Sequence, residues 1–396
     1  MNNAARLIVI VALGVAAVLV AVLLTYQPAI LPETRGPIVV RIEAAIPAEP
    51  WLTHEAQKFS GREYDNIAGE RRQINVEIIP KDGITALAQW GNCNYTRPAT
   101  AWVAEHRDLV NLASAAAASC AGQDIFLTGG LYRDQPVATS PEVWVAFKSR
   151  ADSLRAKFGR EIDWQMINQA ATTPKGWQDL GGQPEWGAFK LVIPHPRRDP
   201  AGIAALINAA GGYYRRPAIS SEDLQNPEFR RWLRENLDTV VDFAPFGAEN
   251  MLLYGPSAGD VGQIVESYLL TNMGDLKKRW GREGDDVVVV YPDPIAWYDF
   301  PFAIYMGKEQ ETSAAEKDAA LAFKQFLLGD EAQRDALRYG LRPASPDIAA
   351  DAEGSLIKEW ESAGFLVRVP ASSKMRQPSR SAMQALIEWF VAEYER

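Results

Sequence analysis

The sequence lacks the marks of most chemistry-bearing proteins. It has no Gly-x-Ser-x-Gly elbow, no His-Glu-x-x-His, no Walker-type phosphate loop, no EF-hand spacing and no Asp-x-Ser-x-Ser metal motif. The usual hydrolase, zinc-protease and nucleotide-binding chemistries therefore have no foothold. Histidine is scarce: His54, His106 and His195 are far apart, and neither cysteine flanks one at a metal-ligand spacing. No cofactor is expected. Basic runs never exceed three residues and the net charge is −9, whereas a nucleic-acid surface needs a basic field to release counterions. Nucleic acid is excluded as a partner, and no repeat of fixed period is visible.

Cysteine is nearly absent, with only Cys93 and Cys120. In an exported domain such a pair reads as one disulfide, which would add about 3–4 kcal/mol in the chain-entropy model. Two separate buried thiols remain the alternative. Asn94-Tyr95-Thr96 fits a glycosylation sequon, a pattern too short to carry weight.

What is abundant comes first in the chain. Leu7 to Leu24 is an 18-residue run of 13 Leu/Ile/Val, four Ala and one Gly, without charge or proline. As a helix it spans about 27 Å, near the thickness of a hydrocarbon core. Arg6 and the amino terminus put positive charge on the short side, which keeps that end cytoplasmic and exports the rest. An uncleaved signal anchor (residues 1–26) is expected, with a cleaved signal peptide as the competing reading. Gln27 to Pro37 is a proline-rich linker.

The remaining chain suits about two compact domains. Ile38 to Ile42 predicts a strand, Trp51 to Phe59 a helix, and Ile74 to Ile79 a second strand. A turn at Lys81-Asp82-Gly83 leads into a helix through Trp90, and Thr100 to Val103 predicts a third strand. Strand-helix-strand-helix-strand implies a parallel sheet. Pro136 to Phe147 is extended, and 151–180 is helix-rich. The stretch that organises the chain is Pro184 to Arg216. Phe189 to Pro194 suits a buried strand and a His195-Pro196-Arg197-Arg198 loop follows. Asp199 is placed to cap a helix that opens at Pro200 and ends at Gly211-Gly212. Val261 to Leu269 predicts an amphipathic helix capped by Asp260. Asp286 to Tyr291 predicts a four-valine strand, Phe302 to Tyr305 a further extended piece, and the last hundred residues helices.

Several of these segments carry a family resemblance: Arg97-Pro-Ala-Thr-Ala-Trp-Val103, Ala138-Thr-Ser-Pro141, Val143-Trp-Val-Ala-Phe147, Gly176-Trp177 and Pro184-Glu-Trp-Gly-Ala-Phe-Lys190. Tyr291-Pro292, Phe300-Pro-Phe-Ala303 and Gly340-Leu-Arg-Pro-Ala344 continue the set in order. The chain resembles bacterial extracellular solute-binding proteins of the type II periplasmic binding protein fold, in a subgroup often associated with von Willebrand factor A domains. The resemblance implies an α/β, two-lobed fold behind the expected transmembrane helix, with ligand between lobes joined by two crossing strands. The lobes would be 38–147 with 291–396, and 148–290. It also implies a small-molecule solute, and a transporter permease, a sensor or a von Willebrand factor A domain protein as partner. A scaffold with a degenerate cleft is the alternative, and no enzyme activity is expected.

The residues expected to face the solute are Pro47, Asp82, Gly83, Ser140, His195, Arg197, Arg198, Asp199, Glu266, Trp297 and Asp299. Arg197 and Arg198 beside a helix N-terminus would form a donor-rich corner for an anionic group. A salt bridge from either arginine to an acid is the competing reading. Trp297, Tyr298 and Asp299 would offer stacking and an acceptor, with core packing of the aromatics as the alternative.

Overall fold

The computed structural model describes residues 36–94, 99–244, 246–307, 311–376 and 378–395. The run Leu7–Leu24 lies outside them, as do Tyr95 and Thr96 of the sequon. Among the described residues no helix is long and apolar enough to cross a membrane.

Two mixed sheets build the molecule. The first has the order β2-β3-β1-β4-β11-β5, from β1 (Ile38–Ala44), β2 (Glu63–Ile67), β3 (Glu70–Pro80), β4 (Ala101–Val103), β5 (Gln135–Pro136) and β11 (Pro301–Ile304). β1 runs parallel to β3 and β4, as the strand-helix alternation implies. The sheet is not wholly parallel, because β2 folds back on β3 as a hairpin and β11 enters antiparallel to β4 and β5. Helices Glu49–Phe59, Gly83–Trp90 and Arg107–Ala121 follow β1, β3 and β4 in the chain.

The second sheet is organised by β6 (Ala138–Phe147), buried along nearly its whole length. Its first half pairs with β10 (Trp297–Tyr298) and β12 (Arg342–Pro343). Its second half pairs with β8 (Val261–Val265) and β9 (Val287–Val290), and β8 also pairs with the parallel β7 (Leu191–Val192). The chain also passes through helices from β11 in the first sheet to β12 in the second, but β6 and the β10–β11 segment are the two extended connections between sheets. They run side by side, with the Val137 N–H on the Phe300 carbonyl and the Glu142 N–H on the Ala296 carbonyl.

The predicted helix Val261–Leu269 is a correction. Val261 to Val265 is a fully buried strand, and the helix spans Glu266–Trp280. Partners on both edges satisfy the backbone, so sheet pairing overrides an apolar spacing that also suits a helix. Asp260 is not a cap; it accepts from the Lys190 N–H at 2.8 Å, Trp177 Nε1 at 2.9 Å and Arg150 Nε at 3.1 Å.

The organising stretch folds as strand, loop and helix. Asp199 Oδ1 accepts from the Ala201 N–H at 2.8 Å, and the helix spans Pro200–Tyr214. The helix passes through Gly211-Gly212 and ends with Arg215 in the left-handed region. Those glycines serve close packing, since a β-carbon at Gly211 would lie 2.5 Å from Met375 Sδ, and one at Gly212 2.5 Å from Trp164.

Among the described residues the tail beyond β12 adds no strand to the first sheet. Helix Arg380–Tyr394 lies against helix Ser221–Gln225, and Arg234 pairs with Glu393 at 2.8 Å. Met375 joins by backbone to Ile295, and Arg376 to Pro217. Cys93 and Cys120 form a disulfide between the turn after helix Gly83–Trp90 and the end of helix Arg107–Ala121.

Candidate functional site

Six side chains from separate loops, strands and helices bring acidic and aromatic groups together near the segments that join the sheets. Asp82 follows β3 and caps the next helix through the Thr85 N–H at 2.8 Å. Glu105 follows β4, fully buried, with Oε1 accepting from the Gly83 N–H at 3.1 Å. The two approach closely, since a β-carbon at Gly83 would lie 2.1 Å from Glu105 Oε2 and displace that side chain. Glu142 comes from the middle of β6 and Tyr298 from β10, both buried. Asp199 heads helix Pro200–Tyr214, and Glu249 lies in the first turn of helix Gly247–Tyr254.

Asn208 fixes this floor. Its Nδ2 donates to Glu142 Oε2 at 2.7 Å, and its Oδ1 accepts from the Ala296 N–H at 2.6 Å. One side chain thus ties the helix to both connecting segments. The second oxygens of the two glutamates, Glu105 Oε2 and Glu142 Oε1, are buried without a hydrogen-bond partner.

The electrostatics are those of crowded carboxyls. Burial, reinforced by Asp199 and Asp82, pushes Glu105 up to about 8. Burial raises Glu142 well above the usual carboxylate range, with Asp199 and Glu249 adding to the effect. Burial and then Asp199 bring Glu249 to about 7. Asp199 is itself raised by burial and by Asp82. The Tyr298 hydroxyl is raised by burial and by Glu142, Asp199, Glu105 and Glu249 together. Among the described residues, no lysine or arginine forms an ion pair with Glu105, Glu142, Asp199 or Glu249. Several cations elsewhere are engaged: Lys81 with Glu43, Arg107 with Asp134, Arg150 with Asp260. A small cavity of ≈ 60 Å³ lies alongside, bounded by His106, Asp108, Ile207, Trp297, Asp299 and Met375 among others. His106, held neutral by burial at about 4, packs edge-on against Tyr298 at 4.4 Å.

The sequence-predicted residues divide. Asp82, Gly83 and Asp199 belong to the cluster, and Trp297 and Asp299 line the adjoining cavity. Pro47 sits in the short turn after β1. Ser140 is buried and accepts from the Ser267 N–H at 3.0 Å, an internal bond. Glu266 is a correction: it is buried and held by Arg342 at 2.7 Å through both oxygens, with Tyr291 as a third donor. His195 and Arg197 are corrections too, because His195 Nε2 and Arg197 Nη1 reach Glu395 at 3.1 and 2.9 Å on the tail. Arg198 is exposed, and the helix N-terminus it adjoins is occupied by the Asp199 carboxylate. The expected cationic corner is therefore not assembled.

Tyr298, expected with its neighbours at the floor of the site, is there, whereas Glu105, Glu142 and Glu249 are not among the residues the sequence singles out. Glu142 did carry a signal, a lone charge inside the apolar run Val137–Phe147, where a buried charge demands a partner. For metal, the trio whose donor atoms converge among the described residues is His54, Glu55 and Asp335, remote in sequence from the cleft. Lys58 Nζ already stands there, 2.8 Å from Asp335 and 2.6 Å from Glu331.

No protein-family model and no curated protein matches the chain. Solved structures do. The sulfate-binding protein SubI from Mycobacterium tuberculosis H37Rv is 15% identical with a TM-score of 0.54, covering 91% of this chain and 99% of that one. A ferric binding protein from Campylobacter jejuni is 14% identical with a TM-score of 0.55, covering 90% and 98%. A periplasmic thiamin binding protein is 12% identical with a TM-score of 0.56, covering 91% and 97%. The chain has the mixed α/β, two-lobed fold of solute-binding proteins.

Proposed function

We propose that this chain is an extracytoplasmic solute-binding protein that holds a small molecule between two lobes and presents it to a transporter permease or a sensor. Residues 38–147 begin the first lobe and 148–290 form the second. The run Leu7–Leu24 would tether the protein to the membrane with the bulk exported. The observation that carries the reading is the convergence of Asp82, Glu105, Asp199 and Glu249 from the two sides, over a floor of Glu142 and Tyr298 on the connecting strands. In open α/β sheets the loops at the carboxyl ends of strands are where ligands bind, and full coverage of solute-binding neighbours fits that use.

A melting-shift screen of small anions, sugars, amino acids and organic cations against the full chain tests it. A binder gains RT ln(1 + [L]/Kd), about 2.7 kcal/mol at a hundredfold excess over Kd. A rise for at least one solute class is expected. A flat response to every class would leave a scaffold with a degenerate cleft.

A further inference from the structure

Resting on that solute-binding reading, we infer that the solute is an organic cation, neutralised in the closed cleft by Glu105, Glu142, Asp199 and Glu249. The sign of the charge follows from what the site lacks. Four carboxyl groups share it, two of them fully buried and each with one oxygen lacking any donor. No lysine, arginine or charged histidine among the described residues compensates them, and His106 beside them is neutral. Buried carboxylates are tolerated when paired with a positive charge. Burial holds these carboxyls largely protonated in the free protein, and a nearby positive charge, which a cationic solute supplies and an anionic one does not, favours their ionised form.

The shape of the site favours a molecule over a bare ion. The carboxyls come from four separate elements, and no three donor groups among them converge within 4.8 Å, the spacing that picks out His54, Glu55 and Asp335 elsewhere. A small ion needs its oxygens at about 2.0–2.6 Å; separated carboxyls instead suit charge spread over an organic frame. Aromatic side chains adjoin the carboxyls. Ala201, Ala204 and Tyr298 share one core cluster, and Tyr268 is half-buried under the influence of Glu249. The Phe246 N–H bonds to Asp199, while its side chain is 63% exposed and its backbone is held at φ +69°. A bulky residue in that conformation is strained, and such strain collects at ligand clamps. An exposed aromatic beside a carboxylate is the pairing that recognises alkylammonium and heteroaromatic cations.

Isothermal titration of the full chain at pH 8 decides it. The probes are spermidine, choline, thiamine and arginine amide as cations; sulfate, citrate and glutamate as anions; glucose as a neutral solute; and Zn²⁺ and Fe³⁺ as metals. At least one organic cation should bind one-to-one, and Glu142→Gln and Glu249→Gln should each weaken it by about tenfold or more. Glu249→Gln alters the half-buried wall, so the test survives if the floor variant fails to fold. Binding of an anion or glucose with no organic cation bound overturns the charge assignment and leaves the solute-binding reading intact. Metal binding alone overturns the organic assignment. If nothing binds, the solute-binding reading fails and this inference fails with it.

Discussion

At the scale of single residues, the protonation of the cleft carboxyls makes stability depend on pH. Glu105 titrates near 8 in the folded protein and near 4.3 when unfolded. The folded state therefore binds more protons than the unfolded one across that interval, and stability falls as pH rises through it. Glu249, near 7, acts in the same direction. His106 opposes them lower down: its folded value near 4 lies below the ordinary 6.5, so it favours the fold as pH rises to that point. The net loss should be cleanest from about pH 6.5 to 8. The melting temperature of the unliganded protein should drop over this range, and Glu105→Gln should flatten the slope. A melting temperature that rises there in the parent would contradict the burial of these groups.

Glu266 belongs to the same scale with the opposite role. Its buried pairing with Arg342 satisfies both charges, so Glu266→Gln leaves a guanidinium uncompensated and should cost about 3–5 kcal/mol. Chemical denaturation would measure this as a lower midpoint. The residue reads from sequence as a cleft acid because Val261–Leu269 reads as a helix. Once that segment is a strand, Glu266 falls at a strand-helix junction facing Arg342, 76 positions away, a partner no local pattern reveals.

At the scale of elements, local signals were most legible where they act on their own neighbours. Asp199, Pro200 and the apolar spacing after them place a helix start correctly, since a cap is satisfied within two residues. The same logic failed at Gly211-Gly212, where tertiary contacts with Met375 and Trp164 set the need for glycine. The paired cysteines were legible by count alone. Their disulfide ties the far ends of the two helices whose near ends carry Asp82 and Glu105. Reduction should lower stability by about 3–4 kcal/mol, and non-reducing peptide mapping should recover the Cys93–Cys120 cross-link. Two free thiols in protein from an oxidising compartment would contradict the pairing.

At the scale of the molecule, the order of segments was enough to anticipate a two-lobed α/β fold, because strand-helix alternation interrupted by long extended runs leaves few other paths. The sign of the cleft was not legible. Arg197 and Arg198 adjoin the helix start in sequence, yet the tail reaches back 198 positions to hold Arg197 through Glu395. The acids found there instead come from the loop after β4, from β6 and from helix Gly247–Tyr254, which meet only in the folded chain. The most direct test of the central claim is hydrogen–deuterium exchange of the full chain with and without the solute that stabilises it most. Ligand between the lobes should protect backbone amides around Gly83, Glu105–His106, Asp199–Ala201 and Gly247–Glu249 together, on both sides of the cleft. Protection confined to the surface around Arg197 and Arg198, or to one side only, would contradict it.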